Sequence, residues 1–350
     1  MLTKLFFISE YVQAEYFHPF SLTKAIEDLP IGILSNRERW EKILGTPSIS
    51  IAFEPFKKTS ISDILKMNTD VECFLFIEVN VLPTQDLIDL IINLKLGECI
   101  QYQNKTIVQK ITAYSDLKKL SNIQIENAVL VDHKWQLISS ISKTCIQLDI
   151  ALLNLELTSL PETVQSKSNK DIYIDKSAQI GYCFMNTDEG PIYIGKNAKV
   201  LDGAMLRGPL VVNDNAVVKM GATIYGSTVI GKHSVVGGEI KNSIIFEHSN
   251  KAHDGYIGDA IIAEWCNLGA GTICSNVKNT AATMQFQIGD LIFETKKAGV
   301  HMGAYSKTAI NTAINTGTEI GVGANVFGSG LTPKKSITLA GGWEEKKCIN

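Results

Sequence analysis

A six-residue period governs the second half of the chain. Ile194, Val200, Leu206, Val212, Val218, Ile224, Ile230 and Val236 follow one another at intervals of six. Four residues after each stands a small or apolar residue: Ala198, Ala204, Leu210, Ala216, Ala222, Thr228, Ser234 and Ile240. Ile174 and Ile180, with Ala178 between them, begin the pattern before an insertion. It resumes at Met302, Thr308, Ile314, Ile320 and Val326, with Ser306, Thr312, Thr318 and Ala324 as the small partners. Helices repeat near 3.6 and strands near 2, so a strict six is neither as a continuous element. It fits short strands joined by tight turns, each supplying one large inward residue and one small corner residue. A coil of this kind cannot bury its own face, so successive coils must stack into a solenoid. A chance Gly/Val-rich β domain would have to hold phase across all eight consecutive repeats.

The first half has a different grammar. Leu5 to Ser9, Ser48 to Phe53 and Cys73 to Glu78 read as strands; Asn36 to Leu44 and Pro83 to Leu96 read as helices, the second with Pro83 in its first turn. Ile100 to Ile111, broken at Asn104-Lys105, predicts a hairpin. This order is that of an α/β domain with a mostly parallel sheet. A polar stretch from Pro161 to Lys170 follows, which predicts domains at 1–160 and 171–332 and a tail at 333–350. Between Cys274 and Met302 an insertion interrupts the hexads. There Gln285-Phe-Gln-Ile and Leu291-Ile-Phe-Glu flank Gly289-Asp290, a β-hairpin signal.

Composition removes several classes. With 33 Lys+Arg against 36 Asp+Glu the net charge is -3, and no basic run occurs, which disfavours nucleic-acid binding. No stretch approaches the ~18 apolar residues of a membrane span. The seven cysteines are odd in number, widely spaced and without C-x-x-C, so neither a disulfide framework nor a zinc cluster is indicated, and a cytoplasmic protein is expected.

The hexads Ile194-Gly-Lys-Asn-Ala-Lys and Ile230-Gly-Lys-His-Ser-Val resemble those of the hexapeptide acyltransferases. Lys251-Ala-His-Asp-Gly-Tyr-Ile-Gly-Asp-Ala260 and Asn267-Leu-Gly-Ala-Gly-Thr272 resemble the acetyltransferase half of the bifunctional GlmU family. Over the whole chain, Leu34-Ser-Asn-Arg-Glu-Arg-Trp40, Val81-Leu-Pro83 and Glu264-Trp-Cys-Asn-Leu-Gly-Ala-Gly271 are similar to GlmU-like sugar nucleotidyltransferases. The resemblance is specific over 190–330 and weak over 1–160. It implies a truncated nucleotidyltransferase-like, Rossmann-like α/β domain followed by a left-handed parallel β-helix, a homotrimer with sites between subunits, and acetyl-CoA or another acyl-CoA as donor. Carried over residue by residue, it makes His253 the general base and Glu239 its acidic support. Lys241 would hold the substrate phosphate, Tyr256 and Asn267 the sugar, and Ala270 with Gly271 the thioester or coenzyme A. Asn276 matches a substrate-side position and Lys278 lies close to a family lysine. Thr223 stands where the family has a phosphate-binding Arg; the nearest Arg is Arg207, one repeat series earlier.

These residue types suit acyl transfer in their own right. An acceptor amine or hydroxyl must lose a proton near pH 7, which an imidazole of pKa ~6.5 accepts. The developing oxyanion needs donors, and a Gly-Ala-Gly run lets backbone N–H groups approach. Plainer readings stand beside each: His253 as a solvated turn residue, Glu239 and Lys241 as an exposed pair, Asn267 as part of an asparagine ladder, Tyr256 as packing, and Asp259 as a turn residue. His18, His133, His233, His248 and His301 show no metal-like spacing and read as structural.

The first half lacks the Gly-rich phosphate loop of nucleotidyltransferases: the first strand runs into Ser9-Glu-Tyr-Val-Gln-Ala14. Mg²⁺ would be needed only if this half is active. Asp70, Glu72 and Glu78 are the available carboxylates, and Lys24, Arg37 and Arg39 the basic residues, with surface helix charges as their plainer reading. Three functions follow: an acyl-CoA-dependent acyltransferase acting on a sugar phosphate or nucleotide sugar; a sugar-1-phosphate nucleotidyltransferase with the β-helix as trimerisation module; or a non-catalytic sugar-nucleotide-binding scaffold.

Overall fold

The computed structural model describes residues 3–50, 60–68, 71–112, 115, 117–138, 140–157, 159–168 and 170–336. Residues 51–53 of the expected second strand, Asp70, Cys348 and the tail beyond 336 lie outside them. The chain forms two compact units, one of residues 1–17, 24–29 and 34–134, the other of 18–23, 30–33 and 135–350. Among the described residues no helix is long and apolar enough to cross a membrane.

The first unit is built on a six-stranded mixed sheet in the order Ser48–Ser50, Thr3–Ile8, Cys73–Glu78, Lys105–Ile111, Glu98–Tyr102, Ser121–Gln124. Its first three strands are parallel, Lys105–Ile111 runs antiparallel to both its neighbours, and Ser121–Gln124 is parallel to Glu98–Tyr102. All six residues of Cys73–Glu78 are buried, as a central strand covered on both faces requires. Phe6, Phe74 and Phe76 pack ring to ring at 5.4–5.9 Å in the core. Helix Asn36–Leu44 starts on a capping box between Ser35 and Glu38 and stops at Gly45, whose φ of 65° suits glycine. The second helix is shorter than expected, Gln85–Asn93, because Thr84 takes the cap and leaves Pro83 outside. The hairpin turns on Gln103 and Asn104, both at positive φ, one residue earlier than Asn104-Lys105.

The second unit is the left-handed parallel β-helix. Nine, eight and six strands stack in three parallel sheets that form the faces of a prism. Ile192↔Leu210↔Thr228 exemplify the first face, Lys199↔Val217↔Val235 the second and Met205↔Thr223↔Glu239 the third. The hexad residues Ile194, Val212, Val218, Ile224, Ile230 and Val236 are all fully buried in one continuous core. Burying each such side chain contributes roughly 1.5–3 kcal/mol before entropic costs. Small hexad residues sit at the corners, and two staple coils together: the Ser234 hydroxyl donates to the Phe246 carbonyl at 2.7 Å, and Ser306 to Gly321 at 2.6 Å.

One placement differs from the hexad reading. Ile240 is not a small-position partner of Val236 but an inward residue, fully buried, because the corner at Gly237-Gly238 is two residues short. The repeat then continues out of phase through Ile245, Lys251, Ile257, Ile262, Leu268 and Cys274, all buried. The outward residues of the first face, Val211, Val229, Ile244 and Ile261, are fully buried too. Phe20 packs on Phe246 and His301 of this face at 5.6 and 5.9 Å. The insertion is the expected hairpin, Met284–Ile288 with Leu291–Thr295. Its Phe286 and Phe293 lie 5.1 and 4.8 Å from Trp135, ring centre to ring centre.

Candidate active site

The third face carries the candidate residues because strand alternation turns every second side chain outward and the coil repeat places these in rows. One row runs Phe184, Met205, Thr223, Glu239, Tyr256; beside it Tyr225 is the lateral neighbour of Lys241. The Tyr225 hydroxyl donates to Glu239 Oε1 at 2.5 Å. That bond, with lesser help from burial, raises the Tyr225 phenol to about 12. Lys241 Nζ lies 5.3 Å from the Tyr225 ring centre and makes no ion pair among the described residues. Glu239 is therefore held by Tyr225, not by His253.

Behind this row lies a second network. Asp259 is buried at positive φ, and its two carboxylate oxygens accept from the amides of Asn242 and Asn276, each at 2.6 Å. Asn276 also donates to the Tyr256 hydroxyl at 2.9 Å. Burial, then the Asp259 carboxylate, pushes the Tyr256 phenol up to about 12, so it remains a neutral hydroxyl across the physiological range. Asp259 is a turn residue, as its spacing suggested, and at the same time the anchor of the site's amides.

His253 occupies the corner between the second and third faces, in the turn between Asn250–Lys251 and Tyr256–Gly258. It is exposed, and its imidazole makes no hydrogen bond among the described residues. Gly238 lies beneath it at φ 74°; a Cβ there would come within 2.9 Å of the His253 carbonyl oxygen. Ala270 and Gly271 form the same corner one coil on. Their N–H groups have no acceptor among the described residues, while the Ala270 carbonyl accepts from Asn311. Asn267 is on the second face, exposed, with its Oδ1 accepting from Asn250 at 2.9 Å, the arrangement of an asparagine ladder. Lys278 is half-buried beyond Asn276, without an ion pair among the described residues. Glu239, Lys241, Tyr256 and Asn276 are thus gathered on one face, His253 and Ala270–Gly271 flank it along one edge, and Asn267 stands across that edge. Arg207 precedes them on the same face, paired with Glu189 at 3.3 Å.

Tyr225, Asn242 and Lys251 escaped the sequence reading. Tyr225 follows Arg207 by one coil of 18, a spacing that could have found it. Asn242 and Lys251 lie where the period slips.

The first unit offers a contrasting arrangement. Glu78, at the carboxyl end of its strand, is buried and accepts the Glu10 backbone N–H with both oxygens, at 2.9 and 3.2 Å. Asp70 is outside the described residues, and among those described no group of three or more His, Cys, Asp or Glu is placed to hold a metal. Arg39 is fully buried, and Arg37 pairs with Glu27 and Asp28 at 3.0 and 2.5 Å. Neither is the surface helix charge that its spacing suggested.

A three-faced hexapeptide prism with a polar third face, joined to an α/β unit, defines the class. Residues 7–157 match the family described as sugar nucleotidyl transferase. A bifunctional sugar-1-phosphate nucleotidylyltransferase/acetyltransferase of Sulfurisphaera tokodaii is 33% identical over 91 residues, covering 25% of this chain and 23% of that protein. The bifunctional protein GlmU of Methanococcus aeolicus is 37% identical over 92 residues, covering 25% and 22%. Residues 7–157 are thus similar to sugar nucleotidyl transferases, and about a quarter of the chain is similar to bifunctional GlmU proteins. The match spans about a quarter of the length of these relatives. The UDP-N-acetylglucosamine acyltransferase of Francisella novicida overlays at a TM-score of 0.20 with 16% identity, covering 47% of this chain and 62% of that one, too distant to carry weight.

Proposed function

We propose that the β-helix unit transfers an acyl group from acyl-coenzyme A to an amino or hydroxyl group of a sugar phosphate or nucleotide sugar. The observation that carries this reading is the exposed, unbonded His253 imidazole at the edge of a face whose own polar groups are tied together. His253 takes the acceptor's proton as the nitrogen or oxygen attacks the thioester carbonyl. The tetrahedral intermediate then collapses, the C–S bond breaks, and coenzyme A leaves as the thiol with the proton returned by the imidazolium. The unpaired N–H groups of Ala270 and Gly271 supply donors for the oxyanion. Lys241 and Lys278, which make no ion pair among the described residues, meet the acceptor's phosphate, and the Tyr256 hydroxyl, kept neutral, meets the sugar. Glu239 acts through Tyr225 to shape the face. With Thr223 offering no cation, the reading favours a diphosphate-bearing acceptor over a terminal phosphate.

A homotrimer completes the reading. Phe184 and Met205 are paired neighbours on the third face, each 54% exposed, next to the candidate row. A neighbouring subunit would cover them and bring a second prism to the edge where Asn267 waits. The match of residues 7–157 favours nucleotidyl transfer as a second reading, in which the first unit turns over sugar-1-phosphates.

The test is His253→Ala. Fold and assembly persist, because an exposed imidazole contributes little to the core, while acyl transfer falls by the ~10²–10⁴ typical of a lost general base. Unchanged transfer on an acceptor that the wild type acylates would end the acyltransferase mechanism proposed here.

A further inference from the structure

Lys251 is a lysine inside the prism. It occupies the inward column whose other members include Val200, Val218, Val236, Leu268, Thr308 and Val326, and it is 1% exposed. A buried ammonium is costly unless its donors are matched. Here Nζ donates to three backbone carbonyls: His253 at 2.5 Å, Asp254 at 3.1 Å and Gly237 at 3.4 Å. Two of these belong to the turn that bears His253 and the third to the shortened corner beneath it. Burial pushes the ammonium down to about 8, against the pull of Asp254.

From this geometry we infer that Lys251 is a positioning residue for His253. The inference rests on the proposed role of that imidazole. A single cation drawing the carbonyls of residues 253 and 254 inward fixes both peptide planes, and with them the direction in which the His253 side chain leaves the chain. The corner below cannot do this alone: Gly237 and Gly238 have no side chains to brace the turn and are packed against its backbone. A valine at 251, as elsewhere in the column, would leave the inward carbonyls without a donor, and each would turn toward water. Lys251 therefore converts a generic corner into one with a single conformation.

Lys251→Met keeps the length and removes the donors. The Glu239 N–H donates to the Gly255 carbonyl at the end of the turn, so its hydrogen exchange reports the clasp without any assay of activity. Exchange at Glu239 is expected to quicken at least tenfold in Lys251→Met. At Asn267, one coil on and bonded to Ser306, it stays unchanged. In acyl transfer, kcat is expected to fall at least tenfold with KM for donor and acceptor unchanged, and Lys251→Arg to recover part of it. Should Lys251→Met not fold, Lys251→Leu, which has no donor and suits the apolar column, is read in the same way. Unaltered exchange at Glu239 overturns the clasp. Faster exchange with unaltered kcat, while His253→Ala is inactive, overturns the positioning role and leaves the base in place. Full activity in His253→Ala overturns both.

Discussion

Glu78 and Glu239 are carboxylates at strand positions in the two units, and they are used in opposite ways. Glu78 is buried and spends both oxygens on the backbone of Glu10. Glu239 is exposed and bonded to a tyrosine that itself faces solvent. A group committed to its own backbone stabilises the fold and is withheld from a ligand; one held by another side chain on an open face is oriented yet reachable. The same contrast separates Arg37, paired with two carboxylates, from Lys241, which rests near a ring with no ion pair among the described residues. Glu78 and Arg37 are turned toward partners of their own unit; Glu239 and Lys241 are presented on an open face.

Substitutions can break that contrast. Ile240→Ala, in the core where the period slips, should lower unfolding free energy by about 2–5 kcal/mol in denaturant titration. A cost near zero would mean that the short corner leaves Ile240 unpacked. A pH effect comes next. Lys251 has a folded-state pKa of about 8, below its ordinary value, so between pH 8 and 10.5 the unfolded chain holds a proton that the native one has released. Unfolding free energy of the wild type relative to Lys251→Met should therefore rise across that window, by at most about 3 kcal/mol. A difference that falls or stays flat would show the ammonium to be solvated. Smallest is the carboxylate pair itself. Glu78→Gln should cost about 1–3 kcal/mol of stability through its charge-assisted bonds and leave acyl transfer intact, whereas Glu239→Gln should do the reverse. If both lower stability equally and neither alters transfer, the contrast is lost.

How much of this was legible in the sequence depends on where the period holds. From Ile194 to Val236 the six-residue spacing is unbroken, and each of these large residues is an inward side chain. At Gly237-Gly238 the corner loses two residues, Ile240 moves from a small position to an inward one, and Lys251 falls in the core column unannounced. The site's residues sit in this interval. His253, Glu239, Lys241, Tyr256 and Asn276 were visible through their motif, but their partners were not, because Tyr225, Asn242 and Asp259 meet them only through coil stacking. Pairing across coils depends on three-dimensional register, and a slipped register hides it. In the first unit Arg39 was misread for a related reason: a charge on a helix signals a surface only when the helix has one, and this side chain turns into the core.

The most direct measurement is the melting temperature of the intact chain with two classes of ligand, because a ligand that binds the folded state alone raises it by mass action. Acyl-coenzyme A at 100 times its dissociation constant should stabilise the protein by about 2.7 kcal/mol, with the shift at that same concentration weakened when Ala270 is replaced by proline, which removes its N–H donor. Nucleoside triphosphate with Mg²⁺ should leave the melting temperature where it was. The opposite result, a shift with the triphosphate and none with any acyl-coenzyme A, would place the working site in the first unit and contradict the assignment of the chemistry to the β-helix face.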